Sequence, residues 1–150
     1  MSVSTAPPAT RLVKPTLETR LHVDYDWWGR HERELWVYLK SHLCPEHQAA
    51  FADLEEGAMV DWVDPETAEV QPVNGVQHAL VTHCARRPEF LTRSTSLVDA
   101  VFRVFLTNGN TPLTPEELGE KLSRPPDTIL RTLSGGRVYK GLRPVLEPAR

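Results

Sequence analysis

The sequence predicts an α+β fold: a small N-terminal α+β module with a β-hairpin, then a C-terminal unit of three helices closed by a short basic β ribbon. Three observations carry this. Thr114 to Leu133 reads as two short helices joined by a tight turn. Two β-like stretches flank Asp64-Pro65-Glu66-Thr67, which is turn chemistry. Apolar residues recur at helical spacing from Trp28 to Leu43 and from Leu97 to Phe105. The expected organisation is a disordered tail over 1–16, the α+β module over 17–90, and the helical domain over 91–150.

The tail is assigned because residues 1–16 are Pro, Ser, Thr and Ala with few large apolar groups. From Leu17 to Trp27 apolar and polar residues alternate, which predicts a strand with one buried face. Asp26 is placed to cap a helix beginning near Trp27. Its stripe of Trp28, Leu35, Trp36, Leu39 and Leu43 carries it to Cys44-Pro45. Pro45 opens a second helix over PEHQAAFADLEE, closed by Gly57. The hairpin pairs Ala58 to Val63 with Ala68 to Val73. Asn74 caps a helix running to Arg87, which Pro88 breaks. The domain boundary is expected between Arg87 and Ser94, before a supporting helix from Leu97 to Thr107.

In the next pair of helices, Thr114 is an N-cap, Pro115 takes the first helical position, and Glu117 completes a capping box. Leu118 and Leu122 share a face, and Gly119 lets a second helix approach. Pro125 and Pro126 stop the first helix. Asp127 suits the positive end of the second helix, whose buried face is Ile129, Leu130 and Leu133, and Gly135-Gly136 closes it.

The run ELGEKLSRPPDTILRTL resembles the helix-turn-helix core of the winged-helix superfamily. Gly119, Leu122, Ile129 and Leu133 fall where that pattern wants them. Ser123 stands where a glycine is common, and Arg124 where an apolar residue is usual. The resemblance covers about a third of the chain. It implies a C-terminal winged helix-turn-helix and a nucleic-acid-binding fold.

The charge distribution fits that expectation. The net charge is −3, yet the segment from Ser123 onward holds six Lys/Arg against two acids, and the remaining chain eleven against eighteen. A basic edge on an acidic body can face phosphate in one orientation only. On the second helix Thr128, Arg131 and Thr132 point away from the buried face, with Arg131 suited to a guanine edge. Arg137, Lys140 and Arg143 on the ribbon are suited to phosphates. The expected partner is duplex DNA, bound by a homodimer on paired half-sites as in transcription regulation. The alternative is an adaptor whose winged helix docks a protein of the transcription or replication machinery.

Cys44-x2-His47, paired with His83-Cys84, offers four ligands for one structural zinc ion. Against this, His83 and Cys84 are neighbours on an expected helix and would diverge by about a hundred degrees unless the helix ends there. His78 or His42 would then supply the fourth ligand. The other reading is two semi-buried thiols, exposed histidines and no cofactor. Asp61, Asp64, Glu66 and Glu69 with His78 or His83 invite a hydrolase reading, but nothing fixes a nucleophile beside a base, so no enzyme is expected. No apolar run is long enough to span a membrane and no signal peptide is seen, which makes the cytoplasm the expected compartment.

Overall fold

A computed structural model describes residues 14–31, 34–55 and 57–145. The fold is mixed α+β. In chain order the elements are β1 (Leu21–Val23), α1 (Tyr25–His31), α2 (Leu35–Ser41), α3 (Pro45–Ala50), β2 (Met59–Val63) and β3 (Val70–Asn74). There follow α4 (Gly75–Thr82), two single 3₁₀ turns (Cys84–Arg86 and Pro88–Phe90), α5 (Leu97–Thr107), α6 (Pro115–Leu122), α7 (Pro126–Leu133) and β4 (Leu142–Pro144). No described helix is long and apolar enough to cross a membrane. Residues 1–13 of the expected tail lie outside the described residues.

The alternating run from Leu17 to Trp27 yields a strand of only three residues, with Leu21 and Val23 buried. Asp24, not Asp26, ends it and starts α1. Its carboxylate accepts from the N–H groups of Asp26 (3.0 Å) and Trp27 (3.4 Å), which turns the chain into a helix two residues earlier than the alternation suggests. The single long helix expected from Trp27 to Cys44 is divided into α1 and α2. The helix opened by Pro45 stops at Ala50, well short of Gly57. Beyond it Phe51 and Leu54 turn inward against a buried cluster.

β1 pairs antiparallel with β4, placing His22 opposite Arg143. On its other edge Leu21 exchanges backbone hydrogen bonds with Leu113, at 2.8 and 3.0 Å. Further along, the Asn110 side chain stands in for a strand. Its amide donates to Val23 O and its carbonyl accepts from Val23 N, both at 2.9 Å. β1 is therefore a central strand between two C-terminal segments, and the expected division at residue 90 is crossed by this pairing. The ribbon expected over 137–145 is reduced to a tight Lys140-Gly141 turn, both residues at positive φ, with β4 pairing to β1.

Two apolar clusters fill the interior. The first joins Leu21, Val23, Trp27 and Trp28 to Phe102, Phe105, Leu118, Ile129, Leu133 and Leu142. The second joins Leu43, Cys44, Val76, Leu80, Cys84 and Phe90. Leu39 and Leu106 pack against both, so α2 and α5 form the seam.

α6 and α7 follow their expected course. Thr114 and Glu117 form the reciprocal capping box. A Cβ on Gly119 would lie 2.7 Å from Arg124 O and 2.9 Å from the Pro126 ring, so α7 starts directly against that backbone. Ser123 adopts the left-handed conformation (φ 53°, ψ 45°), which explains why glycine is common at such a turn. Arg124 reaches across to donate to Thr95 O in the loop before α5, tying the turn to the supporting helix. α7 ends on Ser134 without a left-handed Gly135 or Gly136.

Candidate metal centre and the α7 surface

Four ligand atoms converge where α3 begins and α4 ends. Cys44 is the N-cap of α3, held extended before Pro45, and His47 lies one turn on, so both face the same point. α4 stops at Thr82. His83 is its C-cap with φ −127° and ψ −62°, and Cys84 opens a 3₁₀ turn. That break removes the helical divergence between neighbours and aims both side chains at Cys44. The ligand atoms of the four residues all lie within 4.8 Å of one another. Cys44 Sγ is 3.2 Å from His47 Nδ1, 3.6 Å from His83 Nδ1 and 3.5 Å from Cys84 Sγ, and Cys84 Sγ is 3.6 Å from His47 Nδ1.

A tetrahedral ion with zinc–sulfur and zinc–nitrogen bonds of about 2.3 and 2.0 Å needs ligand atoms roughly 3.3–3.8 Å apart. The four short spacings around Cys44, His47 and Cys84 match this, and the whole set stays within 4.8 Å. These residues can hold a metal ion, and four protein ligands leave no open position for substrate. Outside the ligands, Glu46 Oε2 lies 3.8 Å from His83 Nε2 and 3.7 Å from Arg87. Burial, with the Cys44 thiol alongside, pushes the Cys84 thiol up to about 11. Burial and then the neighbouring His83 lower the pKa of His47, which keeps its imidazole neutral and ready to ligate. Metal binding here therefore expels thiol protons. His78 and His42 stand apart from the cluster. His78 packs against Trp62 of the hairpin, and His42 is buried beneath α5.

The proposed nucleic-acid residues divide in two. Ile129 and Leu133 are buried, while Thr128 and Arg131 are exposed on the opposite side of α7. Thr132 is half-buried and its hydroxyl donates to Thr128 O at 2.8 Å. Arg137 is exposed, its guanidinium over the Tyr139 ring. Lys140 and Arg143, by contrast, are engaged within the molecule. The Lys140 ammonium lies 4.9 Å from the Tyr38 ring centroid and 5.7 Å from that of Trp28. Arg143 pairs with Asp24 at 3.5 Å. Asp61, Asp64, Glu66 and Glu69 belong to the hairpin and its turn, where Asp64 Oδ1 accepts from Glu66 N.

Compared with protein-family models, curated protein sequences and solved structures, the chain matches none. The functional reading rests on its own residues. Two of those, Glu46 and Arg103, were not singled out in the sequence, and His42 entered only as an alternative metal ligand. Glu46 was signalled only by its place between two ligands in Cys-Pro-Glu-His. Arg103 and His42 join α5 to α2 across sixty-one positions, and no local pattern marks such a pair.

Proposed function

We propose that this chain is a helix-turn-helix protein that binds duplex DNA through α7, and that its metal centre is a structural zinc site. The observation that carries the reading is the two-sided α7: Ile129 and Leu133 are locked into the core, and Thr128 and Arg131 stand free on a rigid helix. A helix so fixed can enter a major groove without loss of order, with Arg131 forked onto a guanine. Arg137 supplies charge for the backbone beside it. Lys140 and Arg143 have partners within the protein, so of the basic residues assigned to phosphates Arg137 is the one left to face the backbone.

When bound, zinc supplies a closed four-coordinate crosslink and no chemistry on a substrate. Cys44 and His47 hold one side of it and His83 and Cys84 the other.

The test is fluorescence anisotropy against a library of random duplexes at two salt concentrations. Arg131→Ala should relax preference at one base position and cost about 1–3 kcal/mol on selected sites. Arg137→Ala should weaken all sequences alike and lower the salt slope by about one unit. An absence of duplex binding at low salt, with a protein partner lost on Arg131→Ala, would favour the adaptor reading instead.

A further inference from the structure

Between the metal centre and α5 lies a cavity of about 290 Å³, whose lining includes Leu43, Gln48, Arg87, Phe90, His42 and Arg103. Cys44 and Cys84 form part of its wall, so it adjoins the metal ligands. Its polar groups are unusual in one respect. Arg103 is half-buried, and among the described residues no carboxylate lies within ion-pair distance of it. The acid nearest to hand in the lining, Glu89, is taken by Arg87 at 3.6 Å. Asp99, one turn before Arg103 on α5, accepts from the Tyr38 hydroxyl at 2.6 Å.

What holds Arg103 is neutral. Its Nε donates to His42 Nδ1 at 2.8 Å and its Nη1 to Phe90 O at 2.6 Å, with the guanidinium stacked on the Phe90 ring at 5.1 Å. Because His42 Nδ1 accepts, the ring proton must sit on Nε2. His42 is 2 % exposed, and its Nε2 has no partner among the described residues. Beyond those partners, the remaining Arg103 N–H groups, the His42 Nε2 proton and the positive charge meet no carboxylate among the described residues. A cation withdrawn from water is stable only against an anion or a full set of acceptors.

We propose that this cavity is a binding site for a small organic carboxylate with an apolar body. The carboxylate would take the remaining Arg103 N–H groups as charge-assisted bonds, and the body would lie on Phe90 and Leu43. The binding claim stands independently of the DNA reading. Its regulatory consequence rests on that reading: Arg103 is on α5, which packs with α7 in the first cluster, so occupancy would alter the support of the DNA-facing helix.

Benzoate is the probe, with benzyl alcohol as the uncharged match, titrated into the full zinc-loaded chain by calorimetry and by the Arg103 Nε–H resonance. Benzoate should bind saturably, one per chain, with a dissociation constant of about 1 mM or tighter, and benzyl alcohol at least about tenfold more weakly. The Arg103 Nε–H resonance should move with saturation, and a folded Arg103→Gln should lose the binding. Where Arg103→Gln fails to fold, the wild-type resonance decides. An unmoved Arg103 signal, equal binding of the alcohol, or retained binding in Arg103→Gln would overturn the proposal. Anisotropy on duplexes with and without benzoate reads the DNA interpretation separately, since a chain that binds benzoate and no duplex loses only the latter.

Discussion

Gly141 occupies the left-handed region at φ +76°, where a Cβ would stand 2.9 Å from Asp24 O and 3.0 Å from Trp28 Nε1. Both neighbours are fixed: Asp24 caps α1 and the Trp28 indole donates to Lys140 O at 3.0 Å. Gly141→Ala should therefore lower the unfolding free energy by about 2 kcal/mol or more in a denaturant titration, through strain and overlap together. Ser123 poses the opposite case. It is exposed, left-handed and without a close neighbour to lose, so Ser123→Gly should raise stability by about 0.5 kcal/mol. Glu117 gives a pH dependence. Its carboxylate accepts from Thr114 N at 3.0 Å, and the Thr114 backbone and hydroxyl hold its pKa below the ordinary value. The unfolded chain thus takes up the proton first. The cap contributes above the usual glutamate range, near about 4.3, and its contribution is lost as pH falls through the depressed value. Glu117→Gln should remove that part of the acid sensitivity, read as unfolding midpoints between neutral and acid pH. The capping box was legible because it is local: four residues in sequence contain all of its atoms. The Gly141 constraint was not, because Asp24 and Trp28 lie over a hundred positions away.

At the scale of elements, β1 decides more than its three residues suggest. It supplies hydrogen bonds to β4 on one edge and to Leu113 and Asn110 on the other, and it buries Leu21 and Val23 at 1 % exposure each. A fragment beginning near residue 93 keeps the three helices but loses this central strand. It should show helical circular dichroism without a cooperative thermal transition, whereas a fragment beginning at residue 17 should unfold in one step. Asn110→Asp removes the donor to Val23 O and should cost about 1–3 kcal/mol for the carbonyl left unpaired. The helices α5, α6 and α7 were readable within a residue because caps, prolines and stripes all sit inside each segment. The short strands were read less well. Sheet pairing is a contract between distant segments, and the alternation from Leu17 to Trp27 cannot say which partner ends it or that Asp24 will start a helix.

Across the whole molecule the four candidate ligands join α3 to the end of α4, where a bound ion would act as a staple beside the cluster that Leu39 and Leu106 share with the C-terminal core. Purified protein should carry one zinc ion per chain by metal analysis. A chelator should lower its thermal midpoint, and Cys44→Ser should abolish both the metal and the chelator effect. Retention of the midpoint in excess chelator would show that the four ligands do not depend on metal for their arrangement. By itself the sequence determined the α+β class, the capping of α6, the two-sided character of α7 and the candidacy of Cys44, His47, His83 and Cys84 as ligands, with His78 and His42 left as alternatives, since each follows from residue type and short-range spacing. Only the tertiary structure decided that His83 and Cys84 aim at one point, that Lys140 and Arg143 are engaged within the molecule, and that Arg103 lies half-buried with no carboxylate in reach among the described residues. Each of these depends on where α4 stops or on which distant segment packs alongside, and such choices are made by the summed burial of the whole chain rather than by any one stretch of it.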